Sequence, residues 1–250
     1  MLMQSARALA RLAENPVFAT LTKPHLLHLF QHSQLHTFQR GDTVFDAGQA
    51  CNGLHAVLDG CVKVYARASD GHEKVIDVVS RGSTLPGTHP VRTGPHAHHA
   101  RALGDTAVLV VPHEVLRNEL HLHSEMATRL LDDAVRQVHR MMREIETTSL
   151  CSAAQRVCDY LLHLPALAEQ TEQADALSDA LSDGPSDTPG GVSGERVVVL
   201  PVSKGVVASL LSITPEHFSR VLRELQTEGL IDMQQRTIRL LAPDRLAQRR

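Results

Sequence analysis

At 250 residues, with a formal net charge of −3, 21% charged and only 3% aromatic side chains, the chain has room for one large domain or two modest ones. It holds no run of about eighteen apolar residues, so no membrane span is expected, and its mixed-charge opening MLMQSARALARLAENP lacks the pattern of a secretory signal. The four cysteines, Cys51, Cys61, Cys151 and Cys158, form no CxxC pair, which argues against a disulfide framework or a zinc or iron–sulfur site of usual spacing and suggests buried thiols in a reducing cytoplasm.

Residues 5–14 and 23–31 read as short helices packing against the side of a strand-rich stretch. That stretch runs from residue 34 to 112, where the sequence breaks into short apolar runs divided by turn residues. Thr43-Val44-Phe45 comes after the turn Arg40-Gly41-Asp42. Residues 54–58 lead into Asp59-Gly60, a hairpin signal. Residues 61–65 alternate, as do 74–79 beyond the turn Ser69-Asp70-Gly71, and 106–111 is a further run. Strands at this spacing predict a small antiparallel sandwich or barrel.

Histidine is abundant, with sixteen in all. His89, His96, His98 and His99 crowd one stretch, and His25, His28 and His32 form a second group. Imidazole is a common ligand of metals and of haem iron. A polar loop with solvated rings fits the same composition, and spacing does not decide between the two.

From Ser124 the period changes. Ala127, Leu131, Ala134, Val138, Met141, Ile145 and Thr148 recur at alternating intervals of four and three, with Arg140, Arg143, Glu144 and Glu146 on the flanks. Such a helix either packs along its own domain or pairs with a copy of itself; the small Ala127 and Ala134 permit close approach and favour a parallel homodimer. The helical pattern resumes over 153–162. Residues 165–196 carry seven acids against Arg196 alone, and past Leu181 they have almost nothing large and apolar. The stretch from about 168 to 195 therefore predicts a flexible acidic loop. Residues 197–250 carry eight basic and five acidic side chains, a modest bias toward a phosphate-bearing partner.

Residues 203–211 read as a short helix with Val206, Val207, Leu210 and Leu211 on its apolar side, and Ser212-Ile213 as a turn. Thr214-Pro215-Glu216 is a helix start: a capping hydroxyl, a proline where the missing N–H costs nothing, and an acid at the positive end. The second helix buries Phe218, Val221, Leu222 and Leu225 and stops at Gly229. Glu216, Ser219 and Arg220 are left outside the core in the first turns, where a recognition helix meets base edges. Ser203, Lys204, Thr214, His217 and Arg223 are placed for phosphates. Residues 230–233 and 237–241, joined by Gln234-Gln235-Arg236, read as a two-stranded wing.

These segments together resemble the Crp/Fnr family of bacterial regulators over nearly the whole length. RGDTVFDAGQ (40–49) and LDGCVKVY (58–65) are similar to the glycine-punctuated β-roll of cyclic-nucleotide-binding-type sensor domains. The heptad helix corresponds to the family's dimer helix, and SKGVVASLLSITPEHFSRVLRELQTEGLI (203–231) to its winged helix-turn-helix. Glu216, Ser219 and Arg220 match the pattern of the Fnr and Dnr branches, which read TTGAT half-sites. GCVKVY, REIETTSL (143–150) and the recognition helix resemble the Dnr-type regulators, nitric-oxide-responsive activators thought to sense through haem. The resemblance implies double-stranded DNA, RNA polymerase and a second copy of the chain as partners.

The chain departs from other branches of that family. The nucleotide-binding branch grips ribose and cyclic phosphate with a Gly-Glu and an Arg-Ser pair; STLPGTHPVRTGPHAHHARA (83–102) has neither, which argues against a cyclic nucleotide. The oxygen-sensing branch holds its iron–sulfur cluster with cysteines near the N-terminus, and here none precedes Cys51. Among the histidines, His89, His96, His98, His99, His25, His28 and His32 stay as candidate ligands of haem or a metal, although none aligns with a known haem ligand of the Dnr branch. The expected architecture is α+β: a β-roll sensor over 1–123, a dimerisation helix over 124–150 and a winged helix-turn-helix domain over 151–250. The expected function is transcription regulation rather than catalysis; the competing reading is a haem- or metal-binding protein or enzyme using the His-rich segment.

Overall fold

The computed structural model describes residues 2–88, 94–166 and 196–249. His89 and the predicted acidic loop at 168–195 lie outside the described residues. The chain divides into two compact units, Met1–Arg143 and Glu144–Arg250.

In the first unit, α1 (Leu2–Glu14) and α2 (Lys23–Gln31) precede β1 (Gln34–Phe38), β2 (Thr43–Phe45), β3 (Ala50–Cys51), β4 (Gly53–Asp59) and β5 (Cys61–Arg67). Then come β6 (Glu73–Ser80), β7 (Gly94–Pro95), β8 (His99–Ala102), β9 (Thr106–Pro112), α3 (His113–Leu122) and α4 (Ser124–Leu150), whose residues past Arg143 belong to the second unit. The strands build a sheet of order β1-β9-β4, a second of order β2-β8-β5-β6 and the short pair β3-β7, all antiparallel. The sandwich therefore begins and ends where the turn pattern placed it, at Gln34 and Pro112.

Two cores hold this unit together. Between the sheets lie Phe45, Val57, Val62, Val64, Val79, Leu85, Ala100 and Val108. On the outer face of the first sheet, Leu54, Ala56, Leu58, Leu109 and Val111 meet Leu12, Phe18, Leu29 and Leu116 of the helices. Strand β4 is thus covered on both faces, which is why it reads as a continuous apolar run rather than an alternation.

The Asp59-Gly60 hairpin expectation is corrected: β4 and β5 belong to different sheets, and Gly60 is the corner at which the chain crosses from one to the other. Its φ is +80°, and a Cβ there would stand 2.3 Å from the Asp105 carbonyl oxygen, so only glycine fits both the backbone and the space.

Burial inside β4 gives His55 a consequence in acid. The ring is 6% exposed, its Nδ1 lies 3.1 Å from the Gly53 carbonyl oxygen, and desolvation lowers its pKa from 6.5 to about 4. The unfolded chain binds a proton below about 6.5 and the folded one only near 4, so stability falls as pH drops through that window, by roughly 3 kcal/mol in full. His55→Gln is expected to flatten this slope when urea midpoints are compared at neutral pH and near pH 4; equal acid losses in both proteins would refute it.

In the second unit, Ser152 and Gln155 form a capping box at the start of α5 (Ala153–His163). It is followed by β10 (Arg196–Val199), α6 (Lys204–Leu210), α7 (Pro215–Thr227), β11 (Ile231–Gln234), β12 (Thr237–Leu240) and α8 (Pro243–Gln248). The expected two-stranded wing has a third member, because β10 pairs with β12 in the order β10-β12-β11. Among the described residues no helix is long and apolar enough to cross a membrane.

Candidate nucleic-acid interface

Helices α6 and α7 are each closed at both ends by hydrogen bonds that the sequence encodes. Ser203 Oγ accepts from Val206 N, and Thr214 Oγ1 accepts from His217 N at 3.2 Å. Helix α7 ends in a Schellman motif: Leu230 N donates to Leu225 O and Gly229 N to Gln226 O, with Gly229 at φ +67°.

Helix α6 ends the same way, Ile213 N donating to Ala208 O and Ser212 N to Ser209 O, but the left-handed residue is Ser212, at φ +55°. Arg156 of α5 braces this turn, its Nη1 donating to Leu211 O at 2.6 Å. A serine in that conformation carries a Cβ penalty that glycine lacks. Ser212→Gly is expected to raise unfolding stability by up to about 1 kcal/mol; an unchanged or lower urea midpoint would contradict the strain.

With Phe218, Val221, Leu222 and Leu225 buried, α7 presents Glu216, Ser219, Arg220 and Arg223 along one shallow open depression, together with Pro215. Glu216, Arg220 and Arg223 are exposed and Ser219 is half-buried. Arg220 Nε stands 3.8 Å from Glu224 Oε1, an exposed pair worth little in salt. The residues singled out for base reading therefore share one surface, next to the N-terminus of a capped helix.

Several arginines of the second unit are spent elsewhere. Arg156 serves the turn carbonyls, Arg196 donates to Leu162 O and Leu164 O at 3.0 and 2.6 Å, and Arg236 donates twice to Leu200 O. Arg249 is paired with Glu228. A count of charges could not separate these structural arginines from Arg220 and Arg223.

The heptad positions are open in the protomer. Leu131, Val138, Met141 and Ile145 are 64%, 52%, 45% and 68% exposed, and Ala127 and Ala134 are exposed beside them. One register over, Met126 is fully buried, Asp133 Oδ2 accepts from Thr84 Oγ1 at 2.7 Å, and Gln137 Nε2 donates to the same oxygen. One face of the helix thus packs on its own unit, and the apolar seam is left uncovered in the protomer.

Among the described residues the candidate histidines do not converge on one site. His96 is buried and stacked on Phe45 at 3.7 Å, lining a cavity of about 480 Å³ between the sheets with His36, His55 and Phe38. His98 is half-buried, and His99 faces Tyr65 and Asp46 instead, at 2.9 Å from the carboxylate. His32 donates through Nδ1 to the His28 carbonyl oxygen. His25 and His28 meet at Glu119, with His123 as a further neighbour; sequence reasoning missed Glu119 and His123, since each gains meaning only when α3 packs on α2.

Residues 35–123 match the family model of the cyclic nucleotide-binding domain, and residues 155–249 that of the Crp-like helix-turn-helix domain. The CRP-like cAMP-activated global transcriptional regulator of Mycobacterium tuberculosis is 21% identical over 238 residues, covering 95% of this chain and 97% of the relative. The fumarate and nitrate reduction regulatory protein of Escherichia coli is 24% identical over 213 residues, covering 84% and 76%. Among solved structures, FixK2 from Bradyrhizobium japonicum superposes with a TM-score of 0.66 at 20% identity, over 86% of this chain and 96% of that one. A CooA variant from Carboxydothermus hydrogenoformans gives 0.67 at 15% identity, over 88% and 89%.

Among the described residues no lysine or arginine lines the cavity between the sheets, and burial disfavours protonation of His55 there. Along residues 83–88, Leu85 is buried with its N–H donated to the His55 carbonyl oxygen, and Thr84 faces the Asp133 carboxylate. A phosphate without a cationic partner is costly to desolvate.

Proposed function

The chain belongs to the Crp/Fnr family of transcription regulators, and on that premise we propose that it binds, as a homodimer, a two-fold operator with TTGAT-type half-sites. The observation that carries this is the gathering of Glu216, Ser219 and Arg220 on one open face at the start of a capped helix. Arg220 suits a bidentate donation to guanine, Glu216 accepts from a cytosine or adenine amino group, and Ser219 is a small adaptable contact. Ser203, Lys204, Thr214, His217 and Arg223 take backbone phosphates and fix the register. Residues 151–250 are the DNA-binding domain in this reading, and 124–150 pair through Ala127, Leu131, Ala134, Val138, Met141 and Ile145. A dimer of this kind places its recognition helices about one helical turn of DNA apart. The decisive experiment is a gel-shift titration with a TTGAT…ATCAA duplex against a scrambled one; equal affinity for both would refute the reading.

The matched relatives regulate transcription, which sets aside the reading as a haem- or metal-dependent enzyme. The sensor in our reading is the roll, residues 1–123, and its signal is nitric oxide or redox state taken up through haem, which leads to activation through RNA polymerase. Haem, when bound, supplies an iron able to take the diatomic gas. Of the candidate histidines among the described residues, His96 is the one that lines the cavity, and neutral His55 lies beside it. The test is a haem titration of the full chain and of His96→Ala. A Soret band that shifts with nitric oxide and weakens in the variant is expected; no haem binding by either protein would defeat this part of the reading.

A further inference from the structure

We propose that His25, Glu119 and His123 form a binding site for a divalent first-row transition metal of the zinc class. The site does not depend on the operator reading or on haem. Its three donors come from α2, α3 and the residue just past α3, so the ion would tie α2 to the point where the long helix begins. His123 is that junction: it caps α3 in an extended conformation, and its carbonyl oxygen accepts from Met126 N in the first turn of α4.

The geometry carries the assignment. Glu119 is 1% exposed, a carboxylate sunk among imidazoles. Its Oε2 lies 3.3 Å from His25 Nδ1 and 3.5 Å from His123 Nε2, and the His25 and His123 rings meet edge to face at 4.2 Å. All three donor atoms fall within 4.8 Å of one another. Yet Glu119 Oε2 and His123 Nε2 are both buried without a hydrogen-bond partner. Two buried polar atoms facing each other unsatisfied are costly. A metal at roughly 2.0–2.1 Å from nitrogen and oxygen ligands sets tetrahedral donors about 3.3–3.4 Å apart, and the two separations from Glu119 Oε2, 3.3 and 3.5 Å, are of that size. One cation would satisfy both orphans.

The surroundings fit as well. His28 donates through Nδ1 to the other carboxylate oxygen, Oε1, at 3.0 Å, the outer-shell contact that orients a metal-bound carboxylate. His25 is 38% exposed at its side chain, so an ion can reach the site from solvent. Two imidazoles and one carboxylate form a borderline donor set that suits zinc, cobalt or ferrous iron over calcium or magnesium.

The test uses the full chain, freed of metal with a chelator and titrated with zinc or cobalt chloride. One ion per chain is expected at this site, and the cobalt form should show the visible bands of a four-coordinate site. His25→Asn with His123→Asn should weaken binding about a hundredfold or more, and His28→Asn by about ten- to a hundredfold. Because the chain is rich in histidine, a variant with His89, His98 and His99 changed to Asn is the control and should keep the ion. A folded wild-type chain that takes up neither metal would overturn the proposal, as would binding unchanged in the His25/His123 variant or lost in the control. Circular dichroism of each variant separates loss of ligands from loss of fold.

Discussion

Val138→Glu is expected to leave a folded protomer that no longer pairs and no longer binds its operator. Val138 sits in the middle of the uncovered seam of α4, 52% exposed, between Leu131 and Ile145. The face that packs on the unit's own roll, through Met126, Asp133 and Gln137, is a different one, so the substitution leaves the protomer core untouched. In a parallel pair the new carboxylates would face each other in an apolar seam, each without a cation, a penalty on the order of 3–5 kcal/mol. Sedimentation velocity should show monomers where the parent chain gives dimers, with an unchanged circular dichroism spectrum. Operator binding should fall with assembly, because one half-site supplies too little affinity alone. An unchanged dimer mass would mean that this seam is not the pairing surface.

Arg220→Ala is expected to cost about 1–3 kcal/mol, or about five- to 150-fold, against the cognate duplex. Binding to unrelated DNA should barely move. Arg220 holds no buried partner in the free protein: its neighbour is the exposed Glu224 at 3.8 Å, so releasing it to a base edge costs little. The same experiment on Arg223 should weaken both duplexes alike and lower the salt dependence of binding, as a phosphate contact does. If Arg220→Ala weakens cognate and random duplexes equally, its guanidinium is on the backbone and not on a base.

The parts of the molecule that were legible in its sequence are those specified locally. The helix pair at 203–229 carries its own caps, stop and apolar stripe, and all four predicted core residues of the recognition helix are buried. The limits of the sandwich at Gln34 and Pro112 arise from turn residues in the same way. What stayed hidden is set by distant partners. Asp59-Gly60 has the composition of a hairpin, and only the strands on either side reveal it as a crossing between sheets. Strand β10 carries no turn signal toward β12, its partner some forty residues on. Glu119 reads as one acid in a polar stretch until α3 brings it against His25 and His28. Charge counting over 197–250 also misleads: Arg236 is held by the Leu200 carbonyl oxygen and Arg249 is paired with Glu228.

The central claim, sequence-specific binding by a homodimer, is tested most directly by titrating the full chain against a labelled TTGAT…ATCAA duplex and a scrambled duplex at one physiological salt concentration. The molar mass of each complex is read in the same experiment. The account predicts two chains per cognate duplex and a preference of about a thousandfold or more over the scrambled sequence. Equal affinity for the two duplexes, or a complex with one chain, would contradict it.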